Sequence, residues 1–315
     1  MPVRSSMRLL PLLFVPLLAG CGGCGTSTSS SAGPDASPVS SADGGDVKLV
    51  VGGDSRDDKA HVVPWAFREA KARGAAAFLF LGDMELTPEL DRAFAHELTL
   101  LDPIPFYPVL GNHEVEQMGF LSIGRAGAER ALAHRFLGTP RTPVRSALPG
   151  RLVYSVDLPG GVHFVALDNV SQRGFGKDQL TWLADDLNRA HAEPATRHIL
   201  VGMHKPLAHN GIATHGMDHD GLEAIAESDA ALALFVASHV ELILASHVHQ
   251  FTEFRQAGIP SYITGGLGAP LTRSGPERAF HHFLLLDVAD SGIRVEVVRF
   301  GGPPSVEPEG EDDDD

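Results

Sequence analysis

Short, almost unbroken apolar runs recur along the chain, each closed by glycine or a small residue and then by polar side chains. VKLVV (47–51) comes first, and its lack of alternation is that of a strand buried on both faces. A helical periodicity comes next over 60–73, and AAFLFL (76–81) reads as a second buried strand. TPELDRAFAHELTLL predicts a helix in which Thr87 caps the start, Pro88 takes the first helical position and Glu89 sits in the first turn. PFYPVL supplies a third strand. About 65 residues therefore spell β-α-β-α-β, which implies parallel strands joined by helical crossovers.

The second half is richer in strands: RLVYSVDL, GVHFVALDN, HILVGM, VELILA, PSYIT, HHFLLLDV and IRVEVVRF. Helical patterns interrupt them at 177–190 and 221–238. The alternation in YSVDL and IRVEVVRF predicts half-exposed strands of a second sheet. Two irregular stretches, 115–150 and 207–220, are long enough to roof a site. The whole pattern predicts an α/β fold, a four-layer α-β-β-α sandwich of two mixed β-sheets flanked by helices, over residues 47–300.

Composition sets the boundaries of that domain. With 43% hydrophobic and 21% charged residues, the 315-residue chain has the apolar content for one large core. Residues 1–20 differ: Arg4 and Arg8 precede LLPLLFVPLLAG, too short to span a bilayer but of the length of a secretory signal. The segment ends in Leu18-Ala19-Gly20-Cys21, which resembles a bacterial lipobox. That resemblance implies a lipoprotein signal peptide over 1–20, a lipid on Cys21, and an exported protein anchored to the cell envelope. The alternative is a soluble-export signal with an incidental cysteine. Residues 21–46 are rich in Ser, Gly and Pro and read as a flexible tether, and 301–315 as a disordered acidic tail. Both cysteines, Cys21 and Cys24, precede the domain, which is therefore expected to have no internal disulfide. The net charge of −15 disfavours binding to nucleic acid phosphates, although small anions remain accessible where bound cations reverse the local field.

The residues just past each strand are not those that packing requires. Asp54, Ser55 and Arg56 come after KLVVGG, Asp83 after FLFLG, and Asn112, His113 and Glu114 after YPVLG. His204 comes after ILVGM, and His247 and His249 after ELILAS. Ligand sites in open α/β sheets lie beyond the carboxyl ends of strands. Carboxylates, an amide oxygen and imidazoles meeting there would make a metal site, and two cations about 3.5–4 Å apart could clamp and attack a phosphate.

In order and context, GGDSR, LGDME, LGNHE, GMHKP and ASHVHQ resemble the five blocks of the calcineurin-like metallophosphoesterases. YSVDLPGGVHFVALDN, QLTWLADDL and YITGGLGAPL are similar to its purple-acid-phosphatase-like branch. The resemblance runs from about 47 to 299. It implies an enzyme with two divalent or trivalent transition-metal ions (Fe, Mn, Zn or Ni) that hydrolyses small phosphoesters, chiefly monoesters, by attack of a water-derived hydroxide. Asp83 would bridge both ions. Asp54 and His249 would bind the first, and Asn112, His204 and His247 the second. His113 would face the substrate, stabilising the phosphoryl group or protonating the departing oxygen, and Glu114 would hydrogen-bond a ligand or a backbone amide.

Three positions depart from the family pattern. Arg56 stands where a histidine ligand is usual, and arginine has no lone pair to offer. It is expected either to hold a phosphate oxygen or to pair with Asp57 or Asp58. Leu86 replaces an Asp or Tyr, leaving Glu85 as a candidate extra ligand and giving no reason to expect a purple chromophore. Ser246 replaces a glycine. Competing readings are a phosphodiesterase or nucleotidase, or a non-catalytic binding relative with a degraded first metal site. Arg125, Arg141, Arg145, His209 and Asn210 are candidates for the roof, while His215 and His219 are expected to be exposed loop.

Overall fold

In the computed structural model the first apolar run becomes strand β1 (Val47–Gly52), succeeded by α1 (Val62–Ala72), β2 (Ala77–Phe80), α2 (Pro88–Leu101) and β3 (Phe106–Pro108). The described residues are 46–84, 88–115, 124–139, 142–170, 174–211, 215–272 and 277–301. The proposed signal segment, Cys21, and nearly all of the tether and acidic tail lie outside them, as do Thr87, Glu85 and Leu86. The β1–β2 and β2–β3 pairs are parallel, as the crossovers require. Helix α1 begins where it does because both carboxylate oxygens of Asp58 accept its first amides, from Val62 at 2.8 Å and Val63 at 3.0 Å.

The chain continues through α3 (Gly124–Phe136), β4 (Ser146–Ala147), β5 (Tyr154–Leu158), β6 (Val162–Ala166), α4 (Lys177–Ala192) and β7 (His198–Gly202). Then come α5 (Leu222–Ala237), β8 (Leu242–Ala245), β9 (Phe251–Gln256), β10 (Ile259–Thr264), β11 (His282–Ala289) and β12 (Gly292–Arg299). Two mixed sheets result, in the orders β12-β11-β1-β2-β3 and β4-β5-β6-β7-β8-β10-β9. No described helix is long and apolar enough to cross a membrane.

Alternation along each strand divides its side chains between the layers. Phe78 and Phe80 of β2 point to the helices, where the Phe67 ring of α1 meets Phe78 edge-on at 5.1 Å and Phe94 of α2 meets Phe80 at 5.8 Å. In the second sheet Val165, Ile199, Val201 and Ile243 pack with Leu183 and Leu187 of α4 and Phe235 of α5. Their neighbours Phe164, Leu200, Leu242 and Leu244 join the core of the first sheet. Two sheets face to face, with helices outside, make the expected α/β sandwich. Behind it, buried Asp186 of α4 takes Ser155 Oγ at 3.1 Å and His163 Nε2 at 3.0 Å, so LADDL and YSVDLPGGVHF, well apart in sequence, lock together.

Three expectations need correction, and one strand escapes the sequence reading. IRVEVVRF does not join the second sheet. As β12 it pairs with β11, which runs antiparallel to β1 and closes the first sheet. YSVDL is buried apart from Asp157, because Tyr154, Val156 and Leu158 face the core between the sheets and Ser155 is covered by Asp186 of α4. Region 115–150 is not wholly irregular, since it contains α3, whose weak amphipathic pattern hid it. FTEFRQ, too polar to read as a strand, forms β9 as the sheet edge, where one face meets solvent.

Candidate metal centre

Three strands of one sheet and two of the other end at the same rim. Asp54 lies two residues past β1, Asp83 three past β2, and Asn112 and His113 just beyond β3, while His204 lies just past β7 and His247 and His249 just past β8. Glycines let these turns approach closely. A Cβ on Gly111 would lie 2.1 Å from Asp83 Oδ1, and one on Gly82, itself at φ +97°, 2.7 Å from His204 Nδ1. Asp54, Asp83 and His247 have φ of 60°, 63° and 68°, the left-handed region that non-glycine residues seldom adopt. Such strain persists where the surroundings enforce it, and here it falls on three proposed ligands.

The donors form two groups that share Asp83. Asp83, His204 and His247 make one, and Asp54, Asp83 and His249 the other, with the ligand atoms in each lying within 4.8 Å of one another. His204 Nε2 lies 2.9 Å from Asn112 Oδ1, 3.2 Å from His247 Nδ1 and 3.4 Å from Asp83 Oδ2. His249 Nε2 is 3.6 Å from Asp54 Oδ1. Atoms bound about 2.0–2.2 Å from one cation sit roughly 3–3.5 Å apart, so this crowding suits shared coordination. Asp54 Oδ1 is buried without a hydrogen-bond partner. An ionised carboxylate oxygen left so is costly, and a cation would satisfy it. The residues therefore fit two metal ions in a nitrogen- and oxygen-donor environment.

A surrounding shell fixes the donors. His204 Nδ1 meets the Leu81 carbonyl at 2.8 Å and His249 Nδ1 the Pro270 carbonyl at 2.8 Å, each leaving Nε2 toward the cluster. Asp54 Oδ2 accepts the His247 amide at 2.9 Å. Glu114 is fully buried and accepts the amides of Gly111 at 2.6 Å, Asp83 at 3.0 Å and Met84, fastening the Asp83 turn to the Asn112 turn. The Asn169 side chain brackets Lys205, donating to its carbonyl (2.7 Å) and accepting from its amide (3.1 Å), which steadies the turn after β7.

Electrostatics derive from two carboxylates held together out of water. Burial, with Asp83 adding to it, pushes Asp54 up to about 7. Burial raises Asp83 too, but His204, His113 and His247 outweigh it and hold that carboxyl well below the usual range. His204 is lifted to about 9 because Asp83 and Asp54 overcome its burial. Burial, with His204 nearby, keeps His247 well below the ordinary imidazole value, in the neutral form that can ligate.

The six residues proposed as ligands thus come together. His113 stands just outside both groups, its amide 3.1 Å from Asp83 Oδ1 and its Nε2 4.0 Å from Oδ2. Arg56 is half-buried, with its amide 3.0 Å from the Asp83 carbonyl. Of the acids offered as its partners, Asp57 lies 2.8 Å from Lys59 and Asp58 caps α1. The roof candidates fare less well. Arg145, just before β4, pairs with Asp157 of β5, and His209, 60% exposed, turns toward Asp218 and Asp229. Asn210 donates to the Leu207 carbonyl. The rings of His215 and His219 stack at 5.9 Å in exposed loop, as expected. The side chains of Arg125 and Arg141 lie outside the described residues.

Two contributors stood out in sequence without their roles being legible. The loop 265–270 supports the group of Asp54, Asp83 and His249: its Ala269 amide donates to the Asp54 carbonyl at 2.9 Å, and Pro270 receives His249. Its motif, YITGGLGAPL, carries no titratable side chain to mark it beyond its tyrosine. Ser246, whose hydroxyl reaches Leu81 and His204, reads in sequence as a mild replacement of glycine.

Comparison with known proteins agrees with this architecture. The family model described as calcineurin-like phosphoesterase matches residues 44–251, a span holding every proposed ligand. Purple acid phosphatase 18 of Arabidopsis thaliana is 26% identical over 181 residues, 56% of this chain and 38% of that protein. The chain thus spans well under half the length of that curated relative. Among solved structures, a purple acid phosphatase from yellow lupin (Lupinus luteus) seeds matches with a TM-score of 0.58 at 15% identity, over 80% of this chain and 51% of that one. A dimetal phosphatase from Danio rerio matches with a TM-score of 0.54 at 14% identity, over 81% and 96% of the two chains. These two structures share the fold.

Proposed function

The chain belongs to the calcineurin-like phosphoesterase family, and from that premise we propose that it is a metal-dependent phosphoric ester hydrolase acting mainly on small phosphomonoesters. The observation that carries this reading is the pair of donor groups joined through Asp83, with His113 4.0 Å from that carboxylate and outside both groups. Asp54 and His249 would hold one ion, Asn112, His204 and His247 the other, and Asp83 both. When bound, the ions supply Lewis acidity that activates water and offsets phosphoryl charge.

The side chains perform the rest. His113 is 14% exposed, reachable by substrate yet anchored through its own amide, and would give a proton to the departing oxygen. Arg56, two residues past Asp54, would grip a non-bridging phosphoryl oxygen with its planar fork, replacing a metal ligand with an anion ligand. Among the described residues, Arg145 is paired with Asp157 and His209 turns toward Asp218, which suits a compact monoester better than a long anionic polymer. We further propose that residues 1–20 direct export and that lipid on Cys21 anchors the protein to the envelope membrane. Loss of detergent-phase partitioning in C21S would support that anchor, and unchanged partitioning would dismiss it.

Elemental analysis combined with turnover tests the enzymatic reading. We expect two transition-metal ions per chain and faster cleavage of an aryl phosphate than of a bis-aryl phosphate. Preference for the diester would reassign it as a phosphodiesterase. Full metal loading with no turnover on either would leave a binding protein.

A further inference from the structure

Ser246 comes directly after β8 and is fully buried at the point where the two sheets bring their donors together. Its amide donates to the His204 carbonyl at 2.9 Å. Its hydroxyl donates to the Leu81 carbonyl at 2.7 Å and lies 3.1 Å from His204 Nδ1. That Nδ1 also meets the Leu81 carbonyl, at 2.8 Å, so three groups close a triangle behind the imidazole. Leu81 belongs to the first sheet's rim, and His204 and Ser246 to the second's.

The opposite wall of this contact is Gly53, next to Asp54. A Cβ there would lie 2.7 Å from Ser246 Oγ and 2.8 Å from its Cβ, so the serine side chain occupies the notch that the glycine leaves. On the same stretch, the Gly53 amide donates to the Thr264 carbonyl at 3.2 Å and its carbonyl accepts from Leu267 at 3.1 Å, joining the sheets again. Ser246 is thus packed against the turn carrying Asp54 and hydrogen-bonded to the ring carrying a donor of the other group, while its own hydroxyl faces a backbone carbonyl. It is a spacer and an orienting group at once.

A ligating imidazole works only if its proton resides on the nitrogen away from the ion and its ring is held in plane with it, which is why partners behind such rings affect metal affinity strongly. We propose that Ser246 is a positioning residue for the ion held by Asp83, Asn112, His204 and His247, its hydroxyl fixing the His204 ring and the spacing of the two sheet edges behind that ion. The proposal rests on the metallophosphoesterase reading and adds to it a group that is not a ligand and stands where the family keeps glycine.

The test uses the whole protein and its S246A and S246G variants, titrated with Zn²⁺ and Mn²⁺ against a chromophoric chelator. We expect one of the two ions to bind about 10–100-fold more weakly and the other to change little, with the melting temperature of the metal-free protein nearly unchanged. With an aryl phosphate, kcat should fall while KM holds. S246G removes the same hydroxyl without adding bulk, so it serves if S246A does not fold. Wild-type affinities in both variants would overturn the proposal, as would equal weakening of both ions with a lowered metal-free melting temperature, or failure of both variants to fold. If the unsubstituted chain takes up two ions and the variants match it, only this proposal falls. If the unsubstituted chain takes up none, the enzymatic reading falls as well.

Discussion

Asp83 is the side chain on which the centre depends, because both donor groups include it and the amide of His113 leans on it. His113 itself offers the cleanest separation of chemistry from metal binding. H113Q should keep two ions per chain and lower kcat by about 10²–10⁴-fold, as loss of a proton donor does. Loss of metal in that variant would show instead that His113 is a ligand. Glu114 answers to stability. In E114A three buried amides lose their acceptor, which should cost at least about 3 kcal/mol at roughly 1–3 kcal/mol per orphaned group. Urea unfolding reads that cost, and a change under about 1 kcal/mol would mean that water replaces the carboxylate.

Among elements, the turns are the specialised parts. Gly111 has Asp83 where a side chain would go, with the Asp83 amide 2.3 Å from the position of a Cβ, whereas Gly74, at φ +71°, has nothing within 4 Å. G74A should cost about 1 kcal/mol through its backbone alone. G111A should cost at least about 3 kcal/mol and abolish metal uptake, since overpacking adds to misplacement of the bridging ligand. Equal thermal shifts for the two would refute this view of the turn. The proposed ligands stand out in sequence because each comes directly after an apolar run and differs from it in kind. Buried parallel strands were legible for the same reason. The parts that stayed hidden were decided by tertiary partners. Polar FTEFRQ is a strand only because β10 pairs with it, and IRVEVVRF joins the first sheet because β11 returns to β1. Loop 265–270 contributes backbone carbonyls and amides, which any sequence possesses.

At the scale of the molecule, protons and cations compete for one enclosure. His204, lifted to about 9 beside Asp83, keeps a proton in the metal-free fold that the unfolded chain releases near its ordinary 6.5. That contribution is complete below 6.5 and lost as pH rises through 9. More acidic solutions mix effects: Asp54 and Glu114, both raised to about 7, favour the fold at low pH, while His247 and His282, both lowered, disfavour it there. Chelator-treated protein should therefore melt at progressively lower temperature from about pH 7 to 9. Metal-loaded protein, whose ions displace those protons, should hold its melting temperature, so the gap widens. Parallel curves would mean that no ion replaces the His204 proton.

The order in which the donors are synthesised gives the split between sheets a further consequence. Asp54, Asp83 and Asn112 leave the ribosome early, but their imidazole partners arrive about ninety residues or more later, and β1 gains its antiparallel neighbour only with β11 at His282–Ala289. A nascent or truncated chain would therefore carry half of the proposed coordination set with nothing to complete it, and acquisition of metal would mark the moment when the two sheets have come together.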